Sequence, residues 1–479
     1  MSVQMSVQNL MLPGNPRYQP KALQEFFGYD NLYRAVGRVE IASLRVMGEM
    51  GLMPASALAL LTGETEKSIL ALTATQIEDT ERRITKHDIR AWIYEAQKLV
   101  PPELGNWLHV MLTSYDPLDT GRTLQFTEAH RDVVAPACRK LLRSMIELVR
   151  KHADQPQIGR THGQHALPIT VGFWFATILY RMFYNFQKME LHAGELVGKI
   201  SGAVGAYNAQ VGLGAAALAG EPTFEERVLN KLGLKVSPIS TQILPPEPLA
   251  YYLYSCAMMS ASIAQMGTDC RQLMRSEIGE VAEEFVSTQS GSSTMAHKRN
   301  PINFENLIGM WIRTKNEFGK VLDTLISEHQ RDLVASSVYR DFPIIIVNLA
   351  TQLGTLLREN DAGLSFLQRI TVNPQACARN FAMNAQVVLS EPLYIAIQMA
   401  GYKGDGHKLV NHTLVPRAQA SGESVAWAAA WYAELDPEFA EAWGRIPTAV
   451  VELLHRPEKY TGLASQKALQ IADLVELQL

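Results

Sequence analysis

The chain has 479 residues, 47% hydrophobic and 19% charged, with a formal net charge of −4 at neutral pH. A pI near 6.3 and a mean hydropathy of −0.04 suit a chain that buries a large core. They exclude any bulk electrostatic pull toward nucleic acid or an anionic membrane, although a local Arg/Lys cluster can still hold an anionic small molecule.

The start, Met-Ser-Val-Gln repeated over residues 1–8, has neither the basic residues nor the apolar run of a secretory signal. Residues 1–120 carry short helical signals broken at Gly51, Pro54, Pro101–Pro102 and Gly105. Within them, Thr85-Lys86-His87-Asp88 reads as a capping box. It opens an amphipathic helix through Ile89, Trp92, Ile93 and Ala96. Capping accounts for Thr85 and Asp88 but not for His87. Thr113-Ser114-Tyr115-Asp116 reads as a turn with capping chemistry. Long helical stretches are predicted at about 122–152, 173–200, 248–286, 303–330 and 342–366. In 173–200, Phe175, Leu179, Met182, Phe186, Met189, Ala193, Leu196 and Ile200 form one stripe. Phe173, Trp174, Ile178, Tyr180 and Phe183 make other faces apolar, so this helix is expected to be surrounded by protein. Residues 248–268 carry no formal charge, yet Pro248, Gln265, Gly267 and three tyrosines favour a bundle helix over a membrane span. Shorter helices return from about residue 371, with loops at 401–407 and 456–462. No strand pattern of comparable strength appears. An all-α fold of three helical regions is expected: 1–120, a central bundle of about five long helices over 121–370, and 371–479.

Cys138, Cys256, Cys270 and Cys377 form no CxxC pair, which implies buried thiols and a reducing, cytoplasmic setting. Gly212-Leu-Gly-Ala-Ala-Ala217 loosely matches a dinucleotide fingerprint but follows no strand. There is no Walker A motif, and His162 and His165 lack metal-ligand spacing. No cofactor and no metal are expected.

Two segments carry most of the chemistry. Residues 287–301, Ser-Thr-Gln-Ser-Gly-Ser-Ser-Thr-Met-Ala-His-Lys-Arg-Asn-Pro, join a Gly-Ser-Ser hinge to three basic side chains and an Asn just before a helix. Such a segment can fold over an anion. Gly159-Arg-Thr-His-Gly-Gln-His165 places His162 before the long apolar helix. These segments resemble signatures of the fumarase/aspartase superfamily. The match to the first departs only at Ala296, and its His297-Lys298-Arg299 ending is similar to the adenylosuccinate lyase and carboxymuconate cycloisomerase branches. Thr113–Thr120 is similar to the same superfamily's TSxDxxDT segment, and residues 85–88 to a His-Asp segment of the adenylosuccinate lyase branch. Arg17-Tyr18 and Gln330–Arg340 resemble that branch's nucleotide-binding pieces. The resemblance runs from about residue 14 to the C-terminus, with departures at Leu167, Pro245–Pro248 and Pro392.

What the resemblance implies is a β-elimination that releases fumarate from a succinyl-nucleotide: adenylosuccinate to AMP, and the ribotide SAICAR to AICAR. Ser292 is then the base, His162 the acid, Glu305 its carboxylate support, and His87 a further active-site residue. Thr113, Ser114, Lys298 and Asn300 hold a substrate carboxylate, and Arg331 lies near the succinyl end. Arg17, Tyr18, Ser336 and Arg340 take the phosphate, while Lys86, Asp88, Thr161 and Gln242 complete the site. His165 is expected to be local structure. The resemblance also implies a homotetramer with a 20-helix core and active sites shared among subunits. Carboxymuconate cycloisomerase, argininosuccinate lyase or a specialised elimination lyase are the alternatives.

Overall fold

The computed structural model describes residues 19–212, 222–284, 295, 297–332 and 334–479. Arg17, Tyr18, Gly291, Ser292 and Ala296 lie outside the described residues.

Helices dominate. In chain order the principal ones are α1 (Asn31–Glu49), α2 (Asp88–Lys98), α3 (Tyr115–Ala129), α4 (Ala135–Lys151), α5 (Val171–Ala193), α6 (Glu247–Leu273), α7 (Ile302–Asp323) and α8 (Pro343–Leu357). Several end earlier than their periodicity suggested. α5 stops at Ala193, where Gly194 and a short parallel pairing of Val197–Gly198 with Lys235–Val236 take over. Leu196 and Ile200 stay buried beyond it, so the apolar stripe outlasts the helix. α6 stops at Leu273, whose carbonyl is met by the Glu280 N–H after Gly279 turns left-handed. α3 instead begins early, at Tyr115, and passes into α4 through a wider π turn at His130–Val134. Pro136 follows that turn. A proline has no N–H for an i→i−4 bond, and the ladder re-spaces around it.

The sequence showed no strong strand, yet residues 156–170 form a β-hairpin, β1 (Pro156–Thr161) with β2 (Gln164–Thr170). A register shift between Ile158 and Arg160 breaks the alternation that would have announced it. Two further pairings are minimal, including an antiparallel contact of Val281–Ala282 with Thr371–Val372.

The chain forms two compact units. The first contains residues up to Arg139, Tyr184–Ala264 and Asn306–Thr355; the second contains Lys140–Phe183, Gln265–Glu305 and Leu356–Leu479. In the first, α1 buries Val36, Val39, Leu44 and Met47 against Ile77, Ile89, Trp92, Ile93 and Leu118. Each fully buried side chain of this size contributes roughly 1.5–3 kcal/mol. In the second, the hairpin is moored to the end of α4. Val171 and Gly172 donate to the carbonyls of Gln155 and His152, at 2.9 and 2.8 Å. A Cβ at Gly172 would lie 2.6 Å from Ala153 Cα, so only glycine allows this approach. A separate cluster around Leu393, Ile397, Leu414, Val425 and Phe439 forms the C-terminal core.

All four cysteines are buried and unpaired, as their spacing suggested. Among the described residues no helix is long and apolar enough to cross a membrane. Tyr180, Tyr184 and Leu191 on α5, with Tyr251 and Tyr254 on α6, remain exposed. Within this chain, then, α5 is not covered on every face.

Candidate active site

In the first unit the site grows from the N-termini of α2 and α3. The expected capping box does not form. His87, not Thr85, caps α2, its Nδ1 accepting the Arg90 N–H at 3.4 Å. Thr85 Oγ1 donates instead to the His87 carbonyl at 2.8 Å, holding the turn behind it. Lys86 is left-handed and exposed, and Asp88 Oδ1 lies 3.2 Å from His87 Nδ1. The capping role leaves Nε2 available, 3.4 Å from Ser114 Oγ. His87 is thus both a structural cap and a neighbour of the hydroxyl pair.

Thr113 is held by Asp116, fully buried, whose Oδ2 accepts the Thr113 N–H at 2.7 Å. The other oxygen accepts the Ser201 N–H at 3.1 Å and pairs with the Lys199 ammonium, also fully buried. The Gly202 N–H reaches both oxygens, at 3.3 and 3.2 Å. Taking two charges out of water costs several kcal/mol per ion unless the pair is well bonded, and here Asp116 is saturated with donors. Just upstream, Glu40 receives both the His109 N–H and its Nδ1, at 3.0 and 2.7 Å. Burial alone would lower the His109 pKa. The charge and hydrogen bond of Glu40 outweigh it and raise the pKa.

Beside this lies a second group. Arg331 Nη1 donates to Gln242 Oε1 at 3.3 Å, and Nη2 to Ser336 Oγ at 2.9 Å. The guanidinium sits 3.3 Å from the centroid of the Tyr115 ring, and the Tyr115 hydroxyl is 2.8 Å from Ser336 Oγ. Arg331 and Ser336, expected at opposite ends of a substrate, are therefore in direct contact. Arg340 is exposed.

In the second unit, His162 was expected at a helix entry. It stands instead at the tip of the β1–β2 hairpin, nine positions before α5. His162 and Gly163 both have positive φ, 54° and 74°. A two-residue turn needs that geometry to match strand twist. Thr161 and His162 are exposed. Behind the tip, Arg160 Nη2 and Nη1 bond Glu280 at 2.6 and 3.1 Å. Gln157 and Asn380 each donate to the same carboxylate at 2.8 Å. Burial pushes Glu280 upward, but these donors outweigh it and hold its pKa below the usual carboxylate range. His165 Nδ1 accepts from the Asn384 Nδ2 amide, 3.0 Å away. Burial, with nearby Arg160, lowers its pKa. Lys298 and Glu305 are exposed and Asn300 half-buried. Among the described residues no hydrogen bond or ion pair joins His162 to Glu305.

The sequence reading missed Tyr115, the Asp116–Lys199 pair, the His109–Glu40 pair and Glu280. Only Tyr115 and Asp116 carried a signal, since they sit inside a motif already singled out. In the first unit the exposed His87 imidazole, the Thr113 and Ser114 hydroxyls and the Arg331 guanidinium are suited to holding an anionic ligand.

The profile of a family described as Lyase matches residues 64–314. The chain is 30% identical over 472 residues to the adenylosuccinate lyase of Pyrococcus horikoshii, covering 97% of this chain and 98% of that one. It is 30% identical over 382 residues to the adenylosuccinate lyase of Bacillus subtilis, covering 80% and 83%. Two solved structures share the fold. A fumarate lyase from Mesorhizobium sp. BNC1 has TM-score 0.80 and 21% identity, over 96% of this chain and all of that one. The 3-carboxy-cis,cis-muconate lactonizing enzyme from Pseudomonas putida has TM-score 0.78 and 22% identity, over 96% and 98%.

Proposed function

We infer from its membership that this chain, which belongs to the lyase family of the fumarase/aspartase superfamily, cleaves adenylosuccinate to AMP and fumarate, and SAICAR to AICAR and fumarate. The observation that carries the reading is a linkage inside the first unit. Ser114 contacts His87, and its neighbour Tyr115 contacts Ser336 and Arg331, which itself bonds Gln242. Residues far apart in sequence and expected to hold one succinyl-nucleotide are thus held in a single set of contacts.

The reaction takes a weakly acidic proton from the carbon beside a carboxylate and breaks the C–N bond on the next carbon. Negative charge grows on that carboxylate, and fixed donors aimed there lower the barrier. Thr113, Ser114, Lys298 and Asn300 are assigned to it. Ser292 takes the proton, a role that requires its ionisation by positive charge. His162 protonates the leaving nitrogen, with Glu305 supporting the imidazolium. The bonds broken are C–H and C–N; the products are fumarate and the free amine of the nucleotide. No cofactor or metal enters these steps.

His87, His162 and Ser292 are proposed to come from different subunits of a homotetramer with a cytoplasmic setting. Exposed Tyr180, Tyr184, Leu191, Tyr251, Tyr254 and Ile312 on the long helices supply apolar surface for such assembly. The direct test is fumarate release from adenylosuccinate, SAICAR and argininosuccinate, assayed side by side at known oligomeric state. Turnover of the first two supports the reading. Turnover of argininosuccinate alone, or of none by the assembled protein, overturns it.

A further inference from the structure

We propose that Tyr115 is the positioning residue of an oxyanion-holding cluster made with Ser336 and Arg331, which act together on one anionic group. The proposal rests on the succinyl-nucleotide reading above and concerns how that substrate's charge is gripped.

The argument is one of donor and acceptor counting. A serine hydroxyl has one proton to give and two acceptor positions. In this cluster Ser336 Oγ accepts from Arg331 Nη2 and pairs with the Tyr115 hydroxyl. If Tyr115 donates, both acceptor positions of Ser336 are occupied and its own proton points to a third partner. If Ser336 donates, the Tyr115 proton is the one left over. Either way a single hydroxyl donor remains beside a guanidinium, a pattern that favours an anion over a neutral group.

Arg331 is prepared in the same manner. Its Nε donates to the Asp332 carbonyl at 2.8 Å, and its two terminal nitrogens donate to Gln242 and Ser336. Three of its five N–H donors are thereby used within the protein, and two remain. The Tyr115 ring lies under the guanidinium plane at 3.3 Å, which fixes the orientation of the fork. Tyr115 is itself only 8% exposed, so the ring cannot swing away without leaving a buried gap. It also follows Ser114 directly, so the cluster is tied through two peptide bonds to the Thr113–Ser114 hydroxyls.

The oxyanion could be the substrate's phosphate or its distal carboxylate, and binding separates the two sources. Inorganic phosphate and fumarate are each titrated against the assembled protein and its Tyr115→Phe form by calorimetry. Weakening of about 3- to 20-fold is expected for one probe and not the other. Loss confined to phosphate places the phosphate in the cluster; loss confined to fumarate places the carboxylate there. Unchanged binding of both probes overturns the proposal. In turnover, Tyr115→Phe should raise KM more than it lowers kcat, and Ser336→Ala combined with it should add little to Ser336→Ala alone. Additive effects, or a fall in kcat at constant KM, would show that Tyr115 serves the fold alone. Because the binding arms need no turnover, they stay informative even if adenylosuccinate proves not to be the substrate.

Discussion

The two units hold the side chains proposed for catalysis in opposite ways. In the first, the hydroxyls of Thr113 and Ser114 are backed by a fully buried ion pair, and Arg331 and Ser336 are already bonded to one another and to Tyr115. In the second, His162, Lys298 and Glu305 are exposed; buried Glu280 lies behind the hairpin tip, and buried Glu283 accepts the Phe304 N–H next to Glu305. A group that must hold charge in a fixed place gains from preorganisation inside one chain. The exposed hairpin tip fits a group that meets the substrate from another side, as the proposed assembly requires.

This contrast can be broken by experiment, and the largest effect should come at the tip. His162→Ala is expected to lower kcat by about 100- to 10,000-fold while leaving the melting temperature nearly unchanged. A large melting shift would mean that His162 is a structural residue. Lys199→Met should do the reverse, costing about 3–5 kcal/mol because Asp116 would be left charged and buried. Chemical denaturation reads that loss, and a value below about 1 kcal/mol would show that the pair is not the anchor of the Thr113 turn. Glu280→Gln should cost less, about 2–4 kcal/mol, since Arg160 retains some solvent.

The units should also fail at opposite ends of the pH scale. The folded-state pKa of His109 is raised above 6.5, so its contribution is full below 6.5 and is lost as pH rises through the raised value. The melting difference between the parent and His109→Gln should close as pH increases. Glu280 is lowered below 4.5, so its contribution is full above 4.5 and is lost as pH falls through the lowered value. The difference between the parent and Glu280→Gln should close in acid. Parallel curves for the two variants would remove the distinction. The smallest effect expected is Gly163→Ala, about 1 kcal/mol, from placing a side chain in the left-handed region with open space around it.

Much of this was legible before the structure. The helical stripe of α5 was read correctly at Phe175, Leu179 and Met182, because burial on one side forces a 3.6-residue period. The hydroxyl pair and His162 stood out because each lies in a short run of unusual composition. The hairpin was hidden by its bulge, and helix ends were overrun wherever apolar residues stayed buried beyond the helix. Lys199 and Asp116 were out of reach for a different reason. They are 83 residues apart, and neither position carries a local pattern that names its partner.

The Asp116 carboxylate also has a kinetic meaning. It gathers N–H groups from Thr113, Ser201 and Gly202, two segments that cannot separate by degrees without exposing a bare charge to a dry interior. Such a junction is made all at once or not at all. The amide protons of those three residues should therefore resist exchange with solvent until the first unit opens as a whole, marking a slow-exchanging seam beside the hydroxyls proposed to hold the substrate.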